Sequence, residues 1–165
     1  MKKQIEIIKE KIIDQGDILP LVAQWRLKSQ KIVFTNGCFD ILHQGHIDYL
    51  SRAADLGNKL IIGLNTDFSI KLLDKGAERP IQDQDSRAIL LAALCFTDAI
   101  VYFDEETPLQ LIELIKPDVL VKGSDYAIKD IVGSDAVLKN GGEVKTIDFL
   151  PGFSTSKIVD KIKRT

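Results

Sequence analysis

Apolar and polar residues along most of this chain form blocks that predict strands alternating with helices. Five short apolar runs predict buried strands at residues 31–35, 59–64, 99–103, 119–122 and 143–147. Amphipathic stretches predict helices at residues 45–56, 67–73, 85–94, 108–115, 134–139 and 154–163. Apolar strands separated by amphipathic helices are typical of a parallel sheet that is covered on both faces. The pattern therefore predicts an α/β fold with a doubly wound, parallel, five-stranded sheet.

The first 30 residues have a different pattern. Isoleucines recur at helical spacing up to Ile13, and Asp17 is placed to cap a second helix over residues 18–28. We therefore expect an N-terminal helical extension over residues 1–30, followed by the main domain over residues 31–165. The extension could form an oligomer surface or serve only for packing, which is the simpler interpretation.

The most informative segment is residues 35–46, with the sequence TNGCFDILHQGH, which joins the strand at 31–35 to the next helix. A helix N-terminus that follows a parallel strand binds phosphate, because its free amides and its dipole attract anions. His43 and His46 are three residues apart and can donate hydrogen bonds to a phosphoryl group there. Gly45, between them, would let a phosphate approach the backbone. The segment has neither the P-loop nor the dinucleotide-binding glycine pattern, so it predicts a different phosphate site.

A second candidate phosphate site is the start of the predicted final helix. Ser154, Thr155 and Ser156 are followed by Lys157. Three hydroxyls, the first-turn amides and a lysine could hold phosphate oxygens. An N-cap role for Ser154 would also explain its position. The segment is therefore evidence for a phosphate site only in combination with His43 and His46.

Three further features each allow two interpretations. The segment 121–126, with the sequence VKGSDY, follows a strand at the same edge of the sheet and could contact a base or ribose, or could form only a capped turn. The charged loop over residues 74–83 could be a substrate lid or a solvated connector. Cys38 could be a reactive thiol, although a small, half-buried side chain is the favoured interpretation.

Composition excludes several classes of function. The chain has 165 residues and a formal net charge of -2, with no basic stripe, which argues against nucleic-acid binding. It has no signal-peptide pattern and no long apolar run, so we expect no membrane association and a cytoplasmic location. Its two cysteines and two histidines match no zinc spacing, whereas a Mg²⁺ ion supported by carboxylates stays possible.

Residues 35–46, 122–126 and 154–157 together resemble the cytidylyltransferase-like nucleotidyltransferases. Within that family the chain most resembles the adenylyltransferases that form ADP-heptose, which occur alone or as the C-terminal half of a bifunctional enzyme. The segments that carry this finer likeness are the lead-in FTNGCFDILH, Arg79-Pro80, LVKGSDY and GGEV. The resemblance covers about residues 31 to 163.

Two departures from the family pattern bear on the nucleotide. Cytidylyltransferases for glycerol phosphate and choline phosphate usually carry Arg-Thr-x-Gly where residues 148–152 read DFLPG, which argues against CTP. Ser156 replaces a threonine and keeps the hydroxyl. Ser124 replaces a glycine beside the expected ribose contact.

The resemblance implies a Rossmann-like enzyme that transfers AMP from ATP to D-glycero-D-manno-heptose 1-phosphate, giving ADP-heptose, a lipopolysaccharide core precursor, and pyrophosphate. The implied catalytic residues are His43, His46 and Lys71. The implied nucleotide- and phosphate-binding residues are Thr35, Asn36, Gly37, Phe39, Gly45, Lys122, Gly123, Asp125, Ser154, Thr155 and Ser156.

The resemblance leaves several roles open. Lys71 or Lys75 would meet the sugar phosphate, and Asp40 would either shape the motif loop or assist the metal. Mg²⁺ is expected with ATP, the other partners are small-molecule substrates, and a homo-oligomer is expected. One alternative is a cytidylyltransferase for an alcohol phosphate such as glycerol 3-phosphate. Another is a non-catalytic nucleotide-binding module, since doubly wound sheets have many functions.

Overall fold

In the computed structural model, which describes residues 2–73 and 78–164, six parallel strands form one sheet. The strands are β1 (Ile12–Ile13), β2 (Ile32–Gly37), β3 (Lys59–Asn65), β4 (Ala99–Phe103), β5 (Val119–Gly123) and β6 (Glu143–Ile147). Their order across the sheet is β1-β4-β3-β2-β5-β6. Because β2 pairs with both β3 and β5, the direction of strand addition reverses beside β2. In open α/β sheets, ligands bind at the carboxyl ends of the strands at such a point.

Helices cover both faces of the sheet. They are α1 (Gln4–Lys9), α2 (Ile18–Leu27), α3 (Gln44–Ala54), α4 (Asp67–Leu72), α5 (Gln84–Ala92), α6 (Leu109–Ile115), α7 (Ser134–Lys139) and α8 (Thr155–Lys163), with a 3₁₀ helix at Ile128–Asp130. Neighbouring residues of β2 point into different cores, as strand geometry requires. Phe34 packs in a cluster with Trp25 of α2 and Ile112 of α6. Val33 packs in the opposite cluster with Leu50 of α3.

The structure confirms the doubly wound α/β fold. All five predicted strands and all six helices predicted after residue 31 are present, with ends that differ by at most two residues. The sheet nevertheless has six strands rather than five.

The extra strand corrects the prediction for the N-terminal residues. The helical spacing that includes Ile12 and Ile13 is wrong for these two residues, which form β1 and pair with Ile100 and Val101 of β4. Two β-branched residues fit a sheet edge well, and the amide of Ile100 donates to the carbonyl of Lys11 at 2.7 Å. The domain boundary after residue 30 stays a prediction.

Candidate functional site

The carboxyl ends of β2 and β5 open onto a cavity of about 640 Å³. Twelve of the predicted site residues line it: Asn36, Gly37, Phe39, His43, Gly45, His46, Lys122, Gly123, Asp125, Ser154, Thr155 and Ser156. The three segments that the sequence singled out therefore meet at one cavity, although more than 100 residues separate the first segment from the last.

Direct contacts join the histidine motif to the start of α8. The Thr155 hydroxyl donates to the carbonyl of Asp40 at 2.7 Å. A Cβ built on Gly45 would lie 3.0 Å from the Cβ of Phe153 and 3.1 Å from the His43 ring. Gly45 thus allows the loop before α8 to approach the start of α3, a contact that is tighter than most side chains would tolerate.

The two histidines form a stacked pair. Their ring centroids are 3.7 Å apart with planes 16° from parallel, and Phe39 meets the His46 ring edge-on at 5.4 Å. His43 is the N-cap of α3, and its Nδ1 accepts a hydrogen bond from the His46 amide at 3.3 Å. Because Nδ1 accepts, a neutral His43 carries its proton on Nε2 and can donate from that atom.

Burial lowers the pKa of both histidines. For His46 burial is the main cause, and the neighbouring His43 adds to it, so the pKa falls to about 4 although Asp40 acts in the opposite direction. Burial also lowers the pKa of His43. A cation is disfavoured where it loses water or lies beside another cation. At neutral pH, His46 is therefore a neutral hydrogen-bonding group.

Two buried polar atoms on cavity-lining residues have no hydrogen-bond partner within the described part of the chain. They are Nδ1 of His46 and Oδ1 of Asn36. Buried polar atoms in native proteins are nearly always bonded, so both are candidates for contacts with a ligand.

Two helices begin at this cavity, α3 after His43 and α8 after Ser154. The Ser154 hydroxyl accepts from the amide of Lys157 at 3.2 Å, which confirms the N-cap role. The first amides of each helix have no acceptor inside the helix. Both helix N-termini thus offer N–H groups and a positive dipole end to an anion.

Asp40 connects the motif loop to residues 79–82. Its carboxylate accepts from Nη1 of Arg79 at 2.8 Å and from the amides of Ile81 and Gln82 at 2.9 and 3.0 Å. Burial alone would raise the pKa of Asp40, but these three donors outweigh it and the pKa is lowered. Of the two roles left open by the sequence, the observed bonds match shaping of the loop.

Arg87 is a residue that sequence reasoning missed. It is 1% exposed and donates to the carbonyls of Cys38, Asn65 and Gln82 at 2.7 to 3.0 Å. It also pairs with the carboxylate of Asp67 at 2.7 Å. One buried guanidinium therefore fixes the motif loop, the end of β3, the start of α4 and the segment before α5 relative to one another.

Three aromatic side chains line the cavity although they are 43–53% exposed: Tyr126, Phe149 and Phe153. Phe149 lies against Tyr49, with ring centroids 5.9 Å apart. A Cβ on Gly123 would come within 2.2 Å of the Phe149 ring, so the glycine makes room for it. Apart from Tyr126, these residues were not predicted, because an isolated phenylalanine in a loop carries no specific signal.

Four predicted residues are not among those lining the cavity. Thr35 is fully buried and shares a 2.8 Å hydrogen bond with the Tyr49 hydroxyl. Lys71 on α4 and Lys157 on α8 are exposed. Lys75, with most of the first half of the predicted 74–83 loop, lies outside the described residues. Cys38 does line the cavity and is half-buried.

Three curated relatives span most of this chain, and each is a bifunctional protein HldE. The one from Koribacter versatilis is 46% identical over 159 residues, which are 96% of this chain. Those from Wolinella succinogenes and Campylobacter jejuni subsp. doylei are 53% and 54% identical over 155 residues, which are 94% of this chain. In all three cases this chain covers 32% of the relative's length.

A solved structure and a family profile agree with these likenesses. The crystal structure of the lipopolysaccharide core biosynthesis protein from Thermoplasma volcanium matches with a TM-score of 0.59 and 28% identity, over 73% of this chain and 97% of that one. None of the helices within residues 2–73 and 78–164 is long and apolar enough to span a membrane. The cytidylyltransferase-like profile matches residues 34–161, and this chain therefore belongs to the cytidylyltransferase-like family.

Proposed function

We propose that this chain transfers AMP from ATP to D-glycero-D-manno-heptose 1-phosphate, producing ADP-heptose and pyrophosphate for lipopolysaccharide core synthesis. The observation that carries the proposal is that the histidine motif (residues 43–46) and the α8 hydroxyl segment (residues 154–156) line one cavity and are joined by the Thr155–Asp40 hydrogen bond. Family membership, the HldE relatives and the motifs shared with ADP-heptose-forming enzymes support the same activity.

The reaction is an in-line displacement at the α-phosphorus of ATP. An oxygen of the acceptor's phosphate forms a bond to that phosphorus, and the bond to the β-phosphate oxygen breaks, so pyrophosphate leaves. The nucleophile is already an anion and needs no strong base. Catalysis then consists mainly of positioning and of stabilising the charge that shifts between oxygens.

Different residues around the cavity bind the triphosphate and stabilise the α-phosphoryl group. The first-turn amides of α3 and α8 and the hydroxyls of Ser154 and Ser156 bind the triphosphate and then the leaving pyrophosphate. The Thr155 hydroxyl directs its proton to Asp40, so its contribution to phosphate binding comes from its amide. His43 and His46 donate to the α-phosphoryl oxygens as neutral imidazoles.

The exposed aromatic side chains suit the nucleoside. A base has two flat apolar faces, and aromatic rings stack on such faces. Phe149, held against Tyr49, provides a platform beside Lys122 and Asp125, which reach the ribose and base edges.

Mg²⁺ would arrive on the ATP phosphates and neutralise part of their charge. The donor set fits an ion that is held mainly by the nucleotide: residues 2–73 and 78–164 contain no cluster of three His, Cys, Asp or Glu side chains suited to a metal. The Asp40 carboxylate is also already bonded to three donors. As part of the proposal, the enzyme works as a homo-oligomer in the cytoplasm, where ATP is available.

The test is an acceptor and nucleotide screen with pyrophosphate release as the readout. ATP with D-glycero-D-manno-heptose 1-phosphate should give turnover and a nucleotide sugar identified by mass spectrometry, whereas CTP with glycerol 3-phosphate should not. His46→Ala should lower kcat by roughly 10²- to 10³-fold, because a preorganised donor is lost. Lys139→Ala, at the exposed end of α7, is the matched control. Binding of ATP with no pyrophosphate release in the presence of any of the sugar phosphates would contradict the proposal.

A further inference from the structure

The cavity has two unlike walls. The wall on the side of β5 and β6 carries Lys122, Asp125 and the exposed rings of Tyr126 and Phe149. On the side of β3 the lining includes Ile70 of α4 and Arg79. Since β3 and β5 flank β2 on opposite sides, the two groups come from segments that follow opposite neighbours of β2.

Arg79 is fixed at the β3 side by Asp40. The two side chains form a 2.8 Å ion pair and are 20% and 6% exposed, respectively. Asp40 keeps two amide donors besides Arg79, so its charge would not be left bare if the guanidinium turned to a ligand. The carbonyl of the same residue faces Thr155 at the start of α8. Asp40 therefore lies between the α8 hydroxyl segment and Arg79.

An in-line reaction requires separate binding sites for the acceptor and for the leaving pyrophosphate. The attacking oxygen and the leaving pyrophosphate lie on opposite sides of the α-phosphorus. If α8 holds the pyrophosphate, the acceptor enters from the other side of the histidine pair. Asp40, Arg79 and His46 all line the same cavity, so the Asp40–Arg79 pair and that imidazole face the same space.

We propose that Arg79 binds the phosphate of the acceptor and orients it for attack, with Asp40 as the positioning residue. This inference rests on the proposed function. A cationic side chain forms stronger hydrogen bonds to a phosphate than a neutral donor does, and the cationic side chains lining the cavity within the described residues are Arg79 and Lys122. Lys122 lies on the wall beside β5 and β6, which the proposed function gives to the nucleoside, and its Nζ is 5.7 Å from the centre of the Tyr126 ring. A planar guanidinium can grip two phosphate oxygens at once, which fixes their orientation as well as their charge.

The test measures KM for each substrate separately, in wild-type enzyme and in Arg79→Gln, Arg79→Lys and Lys71→Gln variants. Arg79→Gln should raise KM for the sugar phosphate roughly 10- to 100-fold, the range for loss of a charge-assisted contact. KM for ATP should change less than about twofold. Arg79→Lys should reverse only part of the rise in KM, because lysine restores the positive charge but cannot bind two phosphate oxygens at once as a guanidinium does. Arg164→Gln, on the last turn of the chain, is the control.

Each contrary outcome has a distinct meaning. An equal rise in KM for ATP would make Arg79 a triphosphate contact and overturn the inference. An unchanged KM for the acceptor in Arg79→Gln would overturn it as well, with or without a loss in Lys71→Gln. If wild-type protein turns over no sugar phosphate at all, the proposed function fails and this assignment falls with it. Melting temperatures measured in parallel identify any variant that does not fold.

Discussion

The half-buried imidazole of His46 makes the stability of this protein depend on pH in a predictable way. Its pKa is about 4 in the folded chain, against an ordinary value of 6.5. The unfolded chain therefore binds the proton more tightly, and stability falls as pH decreases from 6.5 toward 4. The full difference corresponds to about 3 kcal/mol, and between pH 7.5 and pH 5 the loss is about 2 kcal/mol.

The assay is urea unfolding of wild-type protein and His46→Gln at a series of pH values from 7.5 to 5. The free energy of unfolding of wild type should fall by about 2 kcal/mol more than that of the variant. The burial of His43, which lowers its pKa, adds to the fall in both proteins, so the difference between them reports His46 together with its interaction with His43. Asp40, whose pKa lies below its ordinary 3.8, loses its contribution only at lower pH. Parallel curves for the two proteins would refute the argument that His46 is neutral because it is buried beside His43.

Three further substitutions test other parts of the account. Arg87→Met should lower the free energy of unfolding by about 3–5 kcal/mol, since it leaves Asp67 and three carbonyls without their donor; a loss below 1 kcal/mol in urea unfolding would show that Arg87 does not hold the loops together. Phe149→Ala should raise the Kd for ATP about 5- to 50-fold in calorimetry if the ring stacks on the base, and an unchanged Kd would remove it from the nucleotide site. Thr35→Val should destabilise the fold by about 1–3 kcal/mol, because the buried Tyr49 hydroxyl loses its partner, while ATP binding stays within twofold. A Thr35→Val protein of normal stability that binds ATP weakly would instead support the nucleotide contact that the family resemblance implies.

The strands β2 to β6, the helices between them and the histidine motif could be predicted because each depends on residues that are close together in the sequence. The apolar runs of β2 to β6 and the helical spacing between them depend only on neighbouring residues. His43, Gly45 and His46 are recognisable because their spacing at a strand-to-helix junction has few structural explanations. The cap at Ser154 follows from the same kind of local rule.

What the sequence could not provide depends on contacts between distant residues. β1 has only two residues, too few to establish a period, and its pairing with β4 joins positions nearly 90 apart. In the sequence, Arg87 cannot be distinguished from an exposed arginine of an amphipathic helix. Its role depends on hydrogen bonds to the carbonyls of Cys38 and Asn65, which are distant in the sequence. The Thr155 proton is directed to a carbonyl 115 residues away, so the sequence alone could not separate its hydroxyl from that of Ser156.

The most direct test of a single triphosphate site is calorimetric titration with an ATP analogue that carries a methylene bridge between the α- and β-phosphates. Wild type should bind one analogue per chain. His46→Ala and Ser156→Ala should each weaken binding about fivefold or more at the same stoichiometry, since each loses a hydrogen bond to the same ligand. The Ser156 side chain is exposed, so the loss of its hydroxyl should leave the fold intact. Wild-type affinity in Ser156→Ala together with weak binding in His46→Ala would contradict the claim that the two ends of the chain hold one triphosphate.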